Sequence, residues 1–374
     1  MQINCLKEDL LFGVQAVARA VSGKNTLPIL GGIMIVAENG SLTFRATDLE
    51  MAIECVLPAD IAEEGVVVVP GRYFSELVRY LPNCNIVLKS NGSDILTVQY
   101  EENQITVHCF DPEEFPALPQ VEGHIQGQMA AAVFRRLVKQ VSIAAATDEI
   151  RPIFAGIYME LNEKEVVMVG TDTHRLAIGR GGWQGNGAHT LILPNRTMQE
   201  IARLAVNDEE PVKIIAGTNQ AYFCIGNITF ITRVINGQYP EYQHVLPSEN
   251  LYITKSYVNR QRFLEALERA ALLGKDSNRG RGSIVRLQFE NDLLTISADV
   301  PDMGRIKEEI GISLEGNMLE VSYNSKYLMD ALRVLESETV ILRLTGATTP
   351  GIIMPDEPEG EASYLYLILP IRVS

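Results

Sequence analysis

A chain that repeats one plan three times is constrained to fold as three similar units, and three segments here share a plan. Residues 31–53 (GGIMIVAENGSLTFRATDLEMAI), 155–178 (AGIYMELNEKEVVMVGTDTHRLAI) and 283–306 (SIVRLQFENDLLTISADVPDMGRI) run alike. Each has an alternating strand, a polar turn, a second alternating strand, an aspartate and a third strand. The aspartates are Asp48, Asp172 and Asp299, spaced 124 and 127 residues apart. A helix-length amphipathic stretch precedes each segment, at 6–21, 131–146 and 259–274, with apolar residues every three or four positions. A shorter one follows each, at 71–81, 195–206 and 324–335, the first two entered after Pro70 and Pro194. Strand-like runs then resume at 95–110, 221–235 and 364–373. The pattern predicts an α+β fold of three repeated domains, 1–123, 124–248 and 249–374, each with two helices packed on antiparallel sheets of roughly eight strands. The linkers are 111–123 and 236–250, which match as Phe-Pro or Tyr-Pro followed by Leu-Pro.

The stretch GTDTHRLAIG (170–179) looks like the start of a catalytic site, and the repeat argues against that. The first unit has Thr47, Asp48, Leu49, Glu50 and Met51 at the positions of Thr171 to Arg175, without the His or the Arg. The shared aspartate reads as a turn residue that hydrogen-bonds its own backbone. No G-x-S-x-G, H-E-x-x-H or Walker loop supplies a nucleophile, metal site or phosphate cradle. We therefore expect no catalytic residue, no metal and no cofactor. Cys5, Cys55, Cys84, Cys109 and Cys224 are widely spaced with no C-x-x-C pair, and read as small buried hydrophobes. The glycine-rich RGGWQGNG (180–187) reads as a flexible hairpin loop, and NRGRG (278–282) as either a phosphate contact or a solvated loop. No secretory leader and no apolar run of about 18 residues is visible, so the expected location is the cytoplasm.

The net charge of −15 argues at first against nucleic acid, but its distribution does not. The helical segments 4–24, 72–81, 131–147, 195–206, 257–281 and 325–335 carry 18 Lys and Arg against 8 Asp and Glu, leaving the rest of the chain 25 negative. Basic helices beside acidic sheets hold a polyanion on one side and repel it elsewhere. Nothing in them reads bases, so contact is with phosphates and independent of sequence. Size suggests how that contact is used. A domain of this length is a sphere roughly 36 Å across, and six such spheres in a ring leave a hole about as wide. That hole admits a duplex of about 20 Å, so two chains head to tail would enclose DNA.

Taken together, NTLPILGGIMI (25–35), ATDLEMAI (46–53), TDTHRLAI (171–178), NGQYPEYQHVLP (236–247) and LILPIRVS (367–374) resemble the beta-subunit family of bacterial DNA polymerase III, the replicative sliding clamps. The resemblance spans essentially the whole chain. It implies a dimeric ring of three-domain chains with helices lining the hole and sheets outside. It also implies a non-catalytic processivity factor that holds double-stranded DNA topologically and binds the polymerase, the clamp loader and repair proteins through short linear motifs.

Matched motif by motif, the resemblance places a partner-peptide groove at Thr171, Thr173, His174, Arg175, Leu176, Pro240 and Val245, closed by Ile368, Leu369, Pro370, Ile371 and Arg372. It places DNA-facing cations at Lys24, Arg72, Arg79, Arg135, Lys139, Arg196 and Arg203. The dimer contacts it implies are Phe74 and Ile105 against Leu272 and Leu273. Two departures bear on the groove: Thr173 stands where many members carry Gly, and Ser374 extends the tail by one residue.

Overall fold

Among the described residues six α-helices form where the 3.6-residue pattern placed them: α1 Lys7–Val17, α2 Gly71–Tyr80, α3 Ala131–Ser142, α4 Asn195–Leu204, α5 Arg260–Leu272 and α6 Ser325–Val334. The structure is a computed structural model that describes residues 1–23, 27–119, 123, 125–148, 150–273, 283–300, 304–357 and 363–372. In α5 the stripe Phe263, Leu264, Ala266, Leu267 and Ala270 is buried, which leaves the Arg and Glu positions outside. Asn259 and Asn324 cap α5 and α6 by accepting from the backbone N–H of Arg262 and Lys326. The first helix is shorter than its pattern and ends in a 3-10 turn at Ala18–Ala20.

The chain divides into two compact units, residues 1–131 with 200–234, and residues 132–199 with 235–374. In the first, five strands run in the order Asp60–Glu63, Gln2–Leu6, Asn85–Lys89, Ile95–Tyr100, Asn103–His108. Another sheet carries Ile125–Met129, Val212–Ala216, Gln220–Ile225, Ile228–Arg233, Met51–Pro58, Ser41–Thr47, Gly32–Glu38 and Gly65–Pro70 in that order. The joint that matters is Ile228–Arg233 against Met51–Pro58, with Thr232 opposite Met51 and Ile228 opposite Cys55.

The second unit repeats this joint. Strand Ser363–Ile368 lies antiparallel to Arg175–Gly182, with Ile368 opposite Arg175 and Ser363 opposite Arg180. Thus the last strand of one repeat hydrogen-bonds the third strand of the repeat before it, twice. The third strand of the final repeat is Gly304–Gly316. Its second part pairs with Thr254–Asn259, while its first part, Gly304–Gly311, has one neighbour among the described residues, Leu293–Val300. Asn103–His108 likewise has one neighbour, Ile95–Tyr100.

Three expectations need correction. Asp299 is not a turn residue like Asp48 and Asp172: it stands inside strand Leu293–Val300, opposite Arg305, whose guanidinium donates to it at 2.8 Å. The third repeat keeps its hairpin extended where the other two bend. The stretch 180–187 is not a loop throughout, because Arg180–Gly182 finish a strand and the Trp183 side chain is buried. A tryptophan brings enough apolar area to anchor a glycine-rich segment. Of the cysteines, only Cys5 and Cys55 are buried, their thiols pushed up to about 12 chiefly by burial; Cys84, Cys109 and Cys224 are half-buried. Residues 278–282 lie outside the described residues.

Gly170, which opens the GTDTHRLAIG stretch, is required by packing. A Cβ there would stand 2.3 Å from the carbonyl oxygen of Val141 in α3, a backbone atom that cannot rotate away. Gly170→Ala is expected to lower stability by about 2 kcal/mol, the usual scale of overpacking, read as a shifted denaturant midpoint.

Candidate functional site

The turn at Asp172 builds itself from local hydrogen bonds. One Asp172 carboxylate oxygen accepts from the N–H of His174 at 2.9 Å and of Arg175 at 3.0 Å. The Thr171 hydroxyl accepts from the N–H of Thr173 and donates to the carbonyl of Arg175. This closes the bend but forces Thr173 to φ +77°, a left-handed conformation that costs a β-branched residue roughly 1–3 kcal/mol. Asp48 and Thr47 make the same four bonds in the first repeat, with Leu49 at φ +74°.

Strand alternation decides which way each following side chain points. Leu176 stands opposite Leu367, and both belong to an apolar cluster with Val167, Val169, Ile178, Ile192, Tyr239 and Tyr242. Arg175 and Ile368 are the next opposed pair and occupy the other face. There the Arg175 guanidinium donates to Asp172 at 2.9 Å and to Asp330 of α6 at 2.7 Å, and lies 4.2 Å from the centre of the Tyr327 ring. Burial opposes its charge, but Tyr366, Asp330 and Asp172 more than offset this and hold its pKa above the ordinary guanidinium value. Arg175 is 8% exposed. Its Nε and Nη1 are thus used within the fold, where they fix the turn onto α6, while the residue itself still borders the cavity described next.

On the apolar face a cavity of about 260 Å³ opens, bordered by Phe154, Thr171, Thr173, His174, Arg175, Leu176, Tyr239, Pro240, Glu241, Tyr242, Val245, Leu367 and Leu369. Its floor is aromatic: Tyr158 stacks on Tyr239 at 4.6 Å and 5°, and meets Tyr242 edge-on at 6.3 Å. Burial, with Glu160 beside it, pushes the Tyr242 hydroxyl up to about 12, so the floor is neutral at any physiological pH. Val245 and Leu369 are exposed at the mouth. The structure thus brings together Thr171, Thr173, His174, Arg175, Leu176, Pro240, Val245 and Leu369 as expected.

Four tail residues lie elsewhere. Ile368 is buried on the opposite face, and Pro370, Ile371 and Arg372 do not border the cavity, because the tail leaves it at once. The Leu369 N–H donates to the His174 carbonyl, and the Ile371 N–H to that of Ser322. Sequence reasoning missed Phe154, Tyr239, Glu241, Tyr242 and Leu367. Leu367 was accessible from the two-residue period that pairs it with Leu369, and Tyr239 and Tyr242 from their place in the YPEYQHVLP linker.

Of the residues expected at a dimer contact, Phe74 is corrected. It faces inward from α2 and is fully buried, so it offers nothing to a second chain. Ile105 and Leu273 are half-buried and Leu272 exposed. Of the expected DNA-facing cations, Lys24 lies outside the described residues. Arg72, Arg79, Lys139, Arg196 and Arg203 are exposed and Arg135 half-buried. Lys139 pairs with Glu336 at 3.8 Å, Arg203 with Glu200, and Arg79 stacks over Tyr80 at 5.0 Å. Among the described residues, no group of three His, Cys, Asp or Glu could hold a metal ion, and no helix is long and apolar enough to cross a membrane.

Models of the N-terminal, central and C-terminal domains of the DNA polymerase III beta subunit match residues 1–119, 128–241 and 243–372 in turn. The chain belongs to the DNA polymerase III beta-subunit family. The beta sliding clamps of Staphylococcus aureus and Staphylococcus epidermidis are 30% and 31% identical to it, over 100% of this chain and 99% of theirs. The crystal structure of a DNA polymerase sliding clamp from Bacillus subtilis superposes with a TM-score of 0.93 at 30% identity, and covers both chains fully. A Pseudomonas aeruginosa sliding clamp bound to griselimycin gives 0.93 at 28%, with the same coverage. Membership makes this chain a non-catalytic processivity clamp of DNA replication.

Two substitutions separate strain from support in the turn of this clamp. Thr173→Gly is expected to stabilise it by about 1 kcal/mol, because glycine adopts the left-handed conformation freely. Arg175→Ala is expected to destabilise it by about 2 kcal/mol, since it strands two carboxylates that keep only part of their hydration. Differential scanning calorimetry of the two variants should show transitions moving in opposite directions.

Proposed function

We propose that two copies of this clamp close head to tail into a ring around duplex DNA, and that the groove beside Asp172 receives short linear motifs of the polymerase, the clamp loader and repair proteins. The observation that carries the ring is the strand joint. Ile228–Arg233 on Met51–Pro58 and Ser363–Ile368 on Arg175–Gly182 are two instances of one rule. Asn103–His108 and Gly304–Gly311 are the two strands that the rule leaves without their counterparts among the described residues. Each satisfies the other in a second copy, antiparallel, and two such joints close the assembly. The partition that goes with this reading is 1–123, 124–248 and 249–374, supported by the three successive family matches.

Ile105 lies on one of these strands, and Leu272 and Leu273 end α5 in the same repeat as the other. Leu273→Asp is expected to give monomers at micromolar concentration, because a charge desolvated without a partner costs several kcal/mol. An unchanged dimer mass by light scattering would place the interface elsewhere.

DNA is held by enclosure and not by tight phosphate contact. A protein with a net charge of −15, whose helix cations are partly neutralised by their own carboxylates, binds free duplex weakly. Clamps assembled on a nicked circle by an ATP-driven loader should therefore persist in high salt and be lost when the circle is cut. Equal retention on circular and linear DNA would rule out a ring. Such work belongs to the bacterial cytoplasm, where the replisome operates.

The groove supports peptide binding by its chemistry. Apolar walls with exposed Val245 and Leu369 at the rim take bulky apolar anchors, and the Asp172 turn offers a rigid wall. Leu369→Ala and Val245→Ala should each weaken a polymerase-derived peptide about thirtyfold while leaving the dimer intact, as measured by fluorescence anisotropy.

A further inference from the structure

The first unit contains a second copy of this groove's framework, carrying different chemistry. The turn Thr47–Asp48–Leu49–Glu50–Met51 repeats the hydrogen bonds of Thr171 to Arg175, including the left-handed third residue. Thr232 stands opposite Met51 as Ile368 stands opposite Arg175, so Ile231 matches Leu367 and Arg233 matches Leu369. The Arg233 N–H donates to the Glu50 carbonyl at 3.0 Å, as the Leu369 N–H does to His174 at 3.0 Å. The Phe115–Pro116 and Leu118–Pro119 pairs take the place of Tyr239–Pro240 and Leu246–Pro247. Between these walls lies a cavity of about 230 Å³.

The side chains differ in a directed way. Leu176 becomes the smaller Ala52 beside Ile231 and Leu118; Leu369, the apolar rim, becomes Arg233. Arg233 is exposed and has no ion pair or side-chain hydrogen bond among the described residues, in contrast to Arg45 nearby on the same sheet, which is paired with Glu54 at 2.6 Å. Glu50 replaces His174 on the facing rim and accepts nothing from Arg233's side chain. A guanidinium at the mouth of a slot with an apolar wall of Ala52, Ile231 and Leu118 matches a carboxylate next to an apolar anchor, which it holds with two parallel N–H donors.

We propose that this cavity is a second linear-motif site of the clamp, selective for partner peptides that carry an Asp or Glu beside a Leu- or Val-sized anchor. The anchor fills the slot over Ala52, the carboxylate sits on Arg233, and peptide N–H groups donate to Glu50. The proposal takes from the first groove the reading that this framework binds peptides, and adds a site and a charge preference of its own.

The test uses the full-length dimer and two benzophenone-bearing, end-capped peptides, Gly-Asp-Val-Leu-Gly and Gly-Lys-Val-Leu-Gly, with cross-links located by mass spectrometry. The expected result is that the Asp peptide labels residues 47–52 or 116–119 at least tenfold more than the Lys peptide. Arg233→Glu, a surface change, should invert that preference, and Ala52→Leu should abolish labelling by filling the slot. Labelling confined to 171–176 and 240–245 would overturn the second site while leaving the first groove standing. Labelling of 47–52 that ignores both the peptide charge and Arg233→Glu would overturn the assigned chemistry. Labelling at neither place would overturn the second site and count against the first as well.

Discussion

Everything in this clamp that bears on function hangs on one backbone interaction: the antiparallel pairing of a repeat's last strand with the third strand of the repeat before it. Backbone N–H and C=O groups must find partners, and a strand edge left without one invites another strand. Pairing Ile228–Arg233 with Met51–Pro58, and Ser363–Ile368 with Arg175–Gly182, satisfies two such edges inside one chain. The same pairing creates the proposed binding surface. The last strand brings Leu367 and Leu369 alongside Leu176, and the Asp172 turn, which ends just before Arg175, becomes the wall of a cavity. Joint and groove are therefore one device, which is why the first unit, having the joint, also has a cavity in the corresponding place.

Much of this was legible in the sequence because it rests on local patterns. Helix positions follow from apolar residues at 3.6-residue spacing, and all six helices lie inside the stretches so marked. The roles of Asp48 and Asp172 follow from the ability of a short carboxylate to bond its own backbone two and three residues on. Asp299 misled because the same letter in the same place does not carry the same bend. Its hairpin runs on as one long strand, Gly304–Gly316, and the carboxylate is used across the ladder by Arg305.

What was not legible depended on facing, which a resemblance transfers poorly. Phe74 and Arg175 were both assigned to surfaces, and both are buried. For Phe74 the period was available: Phe74 and Val78 are four apart, on the inward side of α2, while Tyr73 and Tyr80 point out. For Arg175 no local signal existed. A cation beginning a strand reads as a surface group until Asp330 and Tyr327, more than 150 positions away, are known to stand beneath it. A turn strained at Thr173 holds its shape only because something outside it is stiff, and the Arg175 cluster provides that stiffness from behind.

The charge pattern gains meaning from the same geometry. Basic helices suggested a grip on phosphate, yet many of those cations are already partnered: Arg269 with Glu308, Arg333 with Glu268, Arg19 and Arg203 with Glu200, and Lys139 with Glu336. Arg260 spends its donors on the carbonyls of Ser337 and Leu332. Exposed pairs of this kind contribute little to stability, on the order of 0–1 kcal/mol each, so their consequence is electrostatic: they leave a weakly positive face in place of a strongly positive one. A strongly positive face would hold free duplex by affinity and make its release steeply dependent on salt. A weak one leaves sliding unhindered, at the cost of holding nothing by affinity. On the proposed reading DNA is retained by ring closure, so the electrostatics of the helices and the strands Asn103–His108 and Gly304–Gly311, each left without its counterpart among the described residues, call for the same closed assembly.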